Sequence, residues 1–139
     1  MLNPSSSPRP FTLLANLAVL FVALQHLGFL WLEMFLWTSP VGLRTFGLTP
    51  EQAASSAALA ANQGLYNGFL AAGLIWGVVA RQSGTPIKVF FLSCVIVAGV
   101  FGAATAKGSI LFVQAVPAAI ALWLVYRGIE RRHPNTLTS

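Results

Sequence analysis

Two ionisable side chains lie within one apolar stretch, residues 24 to 37, whose sequence is LQHLGFLWLEMFLW. His26 and Glu33 are seven residues apart, which on an α-helix leaves them about 20° from alignment on one face. Ionisable groups are costly in hydrocarbon and usually mark a function there. Because proton transfer uses an acid and a base in a shielded site, His26 and Glu33 are the candidate catalytic residues.

Amide and phenol side chains form a second polar group in residues 61 to 68, ANQGLYNG. Gln63 and Asn67 share a helix face at i, i+4, and Asn62 and Tyr66 form an adjacent pair at the same spacing. Such groups can orient a ligand in an otherwise apolar pocket. The candidate ligand-binding residues are Gln25, Trp31, Asn62, Gln63, Tyr66, Asn67 and Gln114.

The depth of these side chains in a membrane follows from the helical rise of about 1.5 Å per residue, counted from the outer ends of the predicted helices. Glu33 lies about 7 Å deep, Gln63 about 6 Å and Gln114 about 8 Å, whereas His26 lies about 18 Å deep. Polar groups from three helices therefore fall in the outer half of the bilayer. We expect an outward-facing polar pocket in which ANQGLYNG faces the wall formed by residues 24 to 37.

Simpler roles remain open for the same residues. Amides in membrane helices commonly hydrogen-bond to a neighbouring helix, Glu33 could reach headgroup water or pair with Arg44, and His26 could be a hydrogen-bonded core residue. The predicted spans contain no second His and only one Cys, Cys94, so no metal site is expected. Cys94 stands alone in an apolar run, which predicts packing and no disulfide.

The composition defines the class of protein. The chain has 139 residues, the length of one domain, but only 8% are charged and the mean hydropathy is +0.74. These values are typical of an integral membrane protein. The net charge of +5 does not indicate nucleic-acid binding, because the Lys and Arg residues are scattered singly and form no basic face.

The chain divides into four predicted helices that would position the polar groups. A flexible tail, residues 1 to 10, precedes a four-helix domain, residues 11 to 129, and a second tail, residues 130 to 139, follows it. Thr49, Pro50 and Gln52 predict a capping box at the start of the second helix, and Pro117 predicts a kink in the fourth. The predicted helices are residues 11 to 37, 50 to 81, 87 to 106 and 110 to 129.

The predicted fold is all-α: an integral membrane four-helix bundle, antiparallel and up-down, with short hairpin loops. The second helix is about 48 Å long and should extend beyond the bilayer. Small residues at four-residue spacing, such as Gly64 with Gly68 and Gly73 with Gly77, predict close helix packing within the bundle, although a homodimer would use the same pattern. Another small-residue stripe contains Ala98, Gly102 and Ala106.

The orientation follows from the distribution of positive charge. Residues expected on the side of both termini include six Lys or Arg, and the opposite side has two. By the positive-inside rule both termini are cytoplasmic. The six are Arg9, Arg81, Lys88, Arg127, Arg131 and Arg132, and the two are Arg44 and Lys107.

Four sequence blocks resemble a known family: LEMFLWTSPVGLRTFGLTPE (32 to 51), LAANQGLYNGFLAAGLIWG (59 to 77), CVIVAGVFGAAT (94 to 105) and ILFVQAVPAAIAL (110 to 122). They are similar to the blocks of domain of unknown function 1304, a family of small four-helix bacterial membrane proteins. The resemblance covers residues 11 to 126. It implies a family pattern that includes the counterparts of His26, Glu33, Asn62, Gln63, Tyr66, Asn67 and Gln114. Some family members carry the label epimerase, without a mechanism.

Three functions are compatible with these residues. The first is binding of a lipid-like or amphipathic small molecule in the outer polar pocket, with membrane lipid as the surroundings. The second is a membrane isomerase or epimerase that uses Glu33 and His26 for proton transfer. The third is a small dimeric transporter, although Glu33 lies close to the interface for a coupling acid. No cofactor is expected, and no motif of a hydrolase, metalloprotease or nucleotide-binding protein is present.

Overall fold

The computed structural model describes residues 10 to 80 and 82 to 130. Over this part of the chain the protein is all-α, with five helices: α1 (Pro10–Phe35), α2 (Pro40–Phe46), α3 (Pro50–Val79), α4 (Gly84–Thr105) and α5 (Val116–Glu130). A π-helical turn, Leu111–Ala115, leads directly into α5. The tails predicted at residues 1 to 10 and 130 to 139 lie outside the described residues, except for the helical Pro10 and Glu130.

Three helical segments within the described residues are long and apolar enough to cross a membrane: Thr12–Phe35, Gly84–Thr105 and Leu111–Ile129. Many large apolar side chains on these segments are exposed, including Leu24, Phe101 and Phe112 at 68 to 70%. Such a surface suits hydrocarbon and would be a liability in water. These features indicate a multi-pass membrane protein.

The four long helices pack side by side, each against two others. The contacts join α1 to α3 and α5, and α4 to α3 and α5. Leu30 lies beside Gly68 and Met34 beside Gly64, so α1 and α3 run in opposite directions. The core between the helices is apolar, and its largest fully buried side chains other than His26 are Leu74, Leu92, Val19, Val22 and Val95.

Glycine allows the closest approaches between helices. A Cβ on Gly64 would lie 2.7 Å from Met34 Cγ and 3.2 Å from the Leu30 carbonyl oxygen, and a Cβ on Gly84 would lie 2.6 Å from the Gly77 carbonyl oxygen. The predicted packing role is therefore confirmed for the glycines of these stripes. It does not extend to the alanines Ala98 and Ala106, which are exposed.

The segment between the first two predicted helices contains the short helix α2, which was not predicted. Ser39 caps this helix by accepting the N–H of Gly42 at 3.3 Å, and Pro40 occupies its first turn. Gly47 ends it with a φ of 70°, a conformation that glycine adopts without strain. The N-cap, the proline and the glycine are together the ordinary signature of a helix.

Helix ends elsewhere agree with simple capping rules. The capping box of α3 is confirmed, because the Gln52 N–H donates to Thr49 Oγ1 at 3.2 Å and the Thr49 N–H donates to Gln52 Oε1 at 2.9 Å. α4 begins at Gly84, three residues before the predicted start. Pro86 lies in its first turn, where a missing N–H costs no intrahelical hydrogen bond.

Candidate functional site

Glu33 and Asn67 join α1 to α3 by a side-chain hydrogen bond. Asn67 Nδ2 donates to Glu33 Oε2 at 2.8 Å, and Asn67 is buried. Glu33 follows Val19 and His26 at seven-residue intervals, so all three project from the core-facing side of α1. Val19 and His26 are fully buried, whereas Glu33 is only half-buried. The core-facing side of α1 therefore becomes partly exposed at the C-terminal end of the helix.

The Glu33–Asn67 pair has two acceptor atoms left over. Glu33 Oε1 and Asn67 Oδ1 have no hydrogen-bond partner among the described residues. Neither atom is fully buried. Since Oε2 accepts, the amide nitrogen of Asn67 must face Glu33, and its oxygen points elsewhere. Neither oxygen is fully enclosed, and both keep an unused acceptor.

α3 and α4 diverge toward the same end of the bundle. Gly73 of α3 faces the ring of Phe91 of α4, where the two helices are close. Tyr66 lies seven residues before Gly73 on the same side of α3 and is 51% exposed, and Ala98 lies seven residues after Phe91 on the same side of α4 and is exposed as well. These exposures indicate that α3 and α4 cover each other less at this end. We call the space between Tyr66 and Ala98 the α3–α4 cleft; Asn67, which is bonded to Glu33, follows Tyr66 on α3.

Each helix that borders the cleft is fixed to its other neighbour. Gly68 packs against Leu30 and keeps α3 on α1. A Cβ on Gly99 would lie 2.8 Å from the backbone nitrogen of Ala115, so α4 remains on the helix that precedes α5. At this end, α3 is thus packed on α1, and α4 on the turn before α5.

His26 is fully buried and both of its ring nitrogens are engaged. Nδ1 is 2.8 Å from the Val22 carbonyl oxygen and Nε2 is 3.3 Å from Gln114 Nε2. A carbonyl can only accept, so Nδ1 carries the proton and the neutral ring accepts from Gln114 at Nε2. The edge of Phe29 closes the site, with ring centroids 5.5 Å apart. This arrangement describes a hydrogen-bonded core residue.

A π-helical turn places Gln114 beside His26. Pro117 has no N–H and leaves the carbonyl of Val113 without its intrahelical donor, and Gln25 Nε2 donates to this carbonyl at 2.6 Å. The π turn is closed by the N–H of Val116 on the Leu111 carbonyl. The π turn lies just before Pro117, at which the sequence predicted a kink. π turns are frequent at functional sites.

The predicted site residues fall into separate groups. His26, Gln25 and Gln114 join α1 to the last helix, whereas Glu33 and Asn67 join α1 to α3. His26 and Glu33 are about 10 Å apart along the helix axis. They do not share a hydrogen bond with one another.

The remaining candidates face outward. Asn62, Gln63 and Tyr66 are exposed on α3, with Tyr66 at the mouth of the cleft. Trp31 is 56% exposed and stacks on Phe35 at 4.8 Å between centroids, on the side of α1 opposite Glu33. The sequence analysis missed Ala98 and the carbonyl of Val113. Pro117 was the available signal for the carbonyl, whereas Ala98 carries none.

A second polar contact lies at the other end of the bundle. Lys88 is buried and its Nζ donates to Asn16 Oδ1 at 2.9 Å. A cavity of about 20 Å³ adjoins it, lined in part by Thr12 and Val125, which is room for one water molecule. Lys88 was counted among the flanking cations, and the structure places its side chain inside the bundle at that end.

The fold and the polar contacts define a class: small all-α proteins with several apolar helices of membrane length. Within this class the chain belongs to the family described as Protein of unknown function (DUF1304), whose model matches residues 20–126. It is 30% identical over 113 residues to "Uncharacterized protein YpaA" of Lactococcus lactis subsp. lactis (strain IL1403), covering 80% of this chain and 95% of that protein. No solved structure matches the chain.

Proposed function

We propose that this protein crosses the bacterial inner membrane four times, through α1, α3, α4 and α5, with both termini in the cytoplasm. α3 packs between α1 and α4, both of which have the length and hydropathy of membrane spans. Its outward side carries large exposed apolar groups, among them Leu59, Phe69 and Val79. Asn67 lowers its hydropathy but is turned inward to Glu33.

The orientation can be tested independently of the ligand. A reporter that is active only in the cytoplasm, fused after Ser139, should be active. The first turns of α3 and the whole of α2 would lie on the outer side. A C-terminal reporter that is active only outside the cytoplasm would contradict the proposal.

We infer further that the protein binds a lipid-like or amphipathic small molecule in the α3–α4 cleft. The observation that carries this inference is the half-buried Glu33–Asn67 pair, whose two unused oxygens lie where α3 and α4 diverge. The mouth is apolar and aromatic, with the rings of Tyr66 and Phe69 6.2 Å apart and Ala98 opposite. Apolar walls with a few fixed polar groups are the usual form of a small-molecule site.

Native mass spectrometry of the gently solubilised protein tests the inference. The wild type should retain a bound amphiphile. Ala98→Phe places a ring in the cleft and should remove the bound species, whereas the matched control Ala104→Phe, at an exposed position on the outer side of the same helix, should retain it. Equal retention by both variants would contradict binding in the cleft.

The isomerase alternative has a narrower basis. His26 is fully buried, with Nε2 occupied by Gln114, so Glu33 would have to move the proton without it. The dimeric transporter has no specific contact in its favour.

A further inference from the structure

The fixed polar atoms of the cleft are of one kind. Asn67 uses its amide nitrogen on Glu33 Oε2, so the atoms left for a ligand are Asn67 Oδ1 and Glu33 Oε1. Both are acceptors when the carboxyl group is ionised. A ligand that matches them must present hydrogen-bond donors.

The charge of Glu33 also indicates a ligand that donates hydrogen bonds. Among the described residues Glu33 forms no ion pair, and its hydrogen-bond partner is the neutral amide of Asn67. Arg44, which the sequence suggested as a partner, donates from Nε to the Pro40 carbonyl at 3.1 Å. A carboxylate away from water is stabilised most by a positive charge that also donates hydrogen bonds.

The walls determine the rest of the ligand. Tyr66 and Phe69 on one side and Ala98 on the other offer apolar and aromatic surface, and an aromatic face also attracts a cation. We propose, building on the proposed ligand-binding function, that the cleft binds a single-chain amphiphile with an ammonium head group. The ammonium group donates to Glu33 Oε1 and Asn67 Oδ1, and the alkyl chain lies between Tyr66 and Ala98.

The test compares three probes with one chain length and different head groups: dodecylammonium, dodecan-1-ol and dodecanoate. Each is titrated into the full-length protein in a non-ionic detergent at neutral pH and followed by native mass spectrometry. Charge-assisted hydrogen bonds should make dodecylammonium bind about ten- to a hundredfold more tightly than dodecan-1-ol. Dodecanoate, which carries the charge of Glu33, should bind most weakly.

Two variants locate the preference. Glu33→Gln keeps the shape and an acceptor for Asn67 but removes the charge, so dodecylammonium should lose its advantage over dodecan-1-ol. The control Glu51→Gln, at an exposed acid at the start of α3, should leave the preference unchanged. Because the comparison of probes uses the wild type, it does not depend on the folding of either variant.

The outcomes separate this inference from the proposed function. Equal or tighter binding of the alcohol or the carboxylate to the wild type, displaced by Ala98→Phe, would overturn the ammonium preference and leave ligand binding intact. An ammonium preference that persists in Glu33→Gln would also overturn it. Binding of none of the three probes would overturn both.

Discussion

Gln25 hydrogen-bonds to the carbonyl of Val113 at 2.6 Å and replaces the backbone donor that Pro117 lacks. The proline and the glutamine belong to different helices, so a local defect in one is repaired by a side chain of the other. The repair holds the π turn in place, and this turn directs Gln114 toward His26.

The first prediction concerns this repair. Gln25→Leu should lower the free energy of unfolding by about 1–3 kcal/mol, because the Val113 carbonyl then has no donor. In a Pro117→Ala background the backbone N–H returns, and the same change should cost less. Unfolding of the four proteins in mixed micelles gives the coupling energy. Strict additivity would show that Gln25 does not compensate for Pro117.

The second prediction concerns His26 and Gln114. His26→Phe leaves the half-buried Gln114 donor unpaired and should destabilise the protein by about 1–3 kcal/mol, and adding Gln114→Leu should recover part of the loss. The ¹⁵N shifts of the imidazole should show the proton on Nδ1. Because His26 lies outside the cleft, His26→Phe should still retain the bound amphiphile. Loss of the ligand from a folded His26→Phe protein would show that the His26–Gln114 contact affects binding in the cleft.

The third prediction concerns the packing of α4 on the helix before α5. Gly99→Ala places a Cβ 2.8 Å from the Ala115 nitrogen and 2.9 Å from its Cβ, so overpacking should cost about 1–3 kcal/mol. Gly28→Ala is the matched control, since a Cβ there meets nothing within 4 Å, and it should be neutral or stabilising by up to about 1 kcal/mol. Equal effects in thermal unfolding would contradict this contact.

The fourth prediction concerns pH at the start of α3. Hydrogen bonds from its own backbone N–H and then from Thr49 lower the pKa of Glu51. A lowered pKa in the folded state contributes stability that is complete above the unfolded pKa and is lost as the pH falls through the folded value. The protection factors of the amides in the first turn of α3, which are corrected for the intrinsic exchange rate at each pH, should therefore fall in acid. Glu51→Gln should remove this pH dependence, and an unchanged profile would argue against the cap.

Much of the scaffold is predictable because it depends on local rules. Apolar length gives the long helices, and Thr49 with Gln52 gives the start of α3. The helix α2 carried a similar signature, with Ser39 before it, Pro40 in its first turn and Gly47 after it. Seven residues are nevertheless too few to show a hydrophobic period. Local chemistry was the better guide there.

The site was less predictable because it depends on how the helices are rotated and splayed. Depth placed Glu33 level with Gln63, and the bonded residue of that segment is Asn67. The spacing correctly placed His26 and Glu33 on one face of α1. The two side chains nevertheless bond to different partners, Gln114 and Asn67. Nothing in the residue type of Ala98 indicates that α4 leaves α3 at that point.

The contact between Gly73 and Phe91 gives the cleft a definite end. Tyr66 and Gly73 are about 10 Å apart along α3, so whatever lies between α3 and α4 meets the Phe91 ring after that distance. The contact between Gly73 and Phe91 therefore limits the length of chain that the cleft can hold. A chain that fits this length is enclosed on both sides, and the remainder of a longer one must stay in the surrounding bilayer.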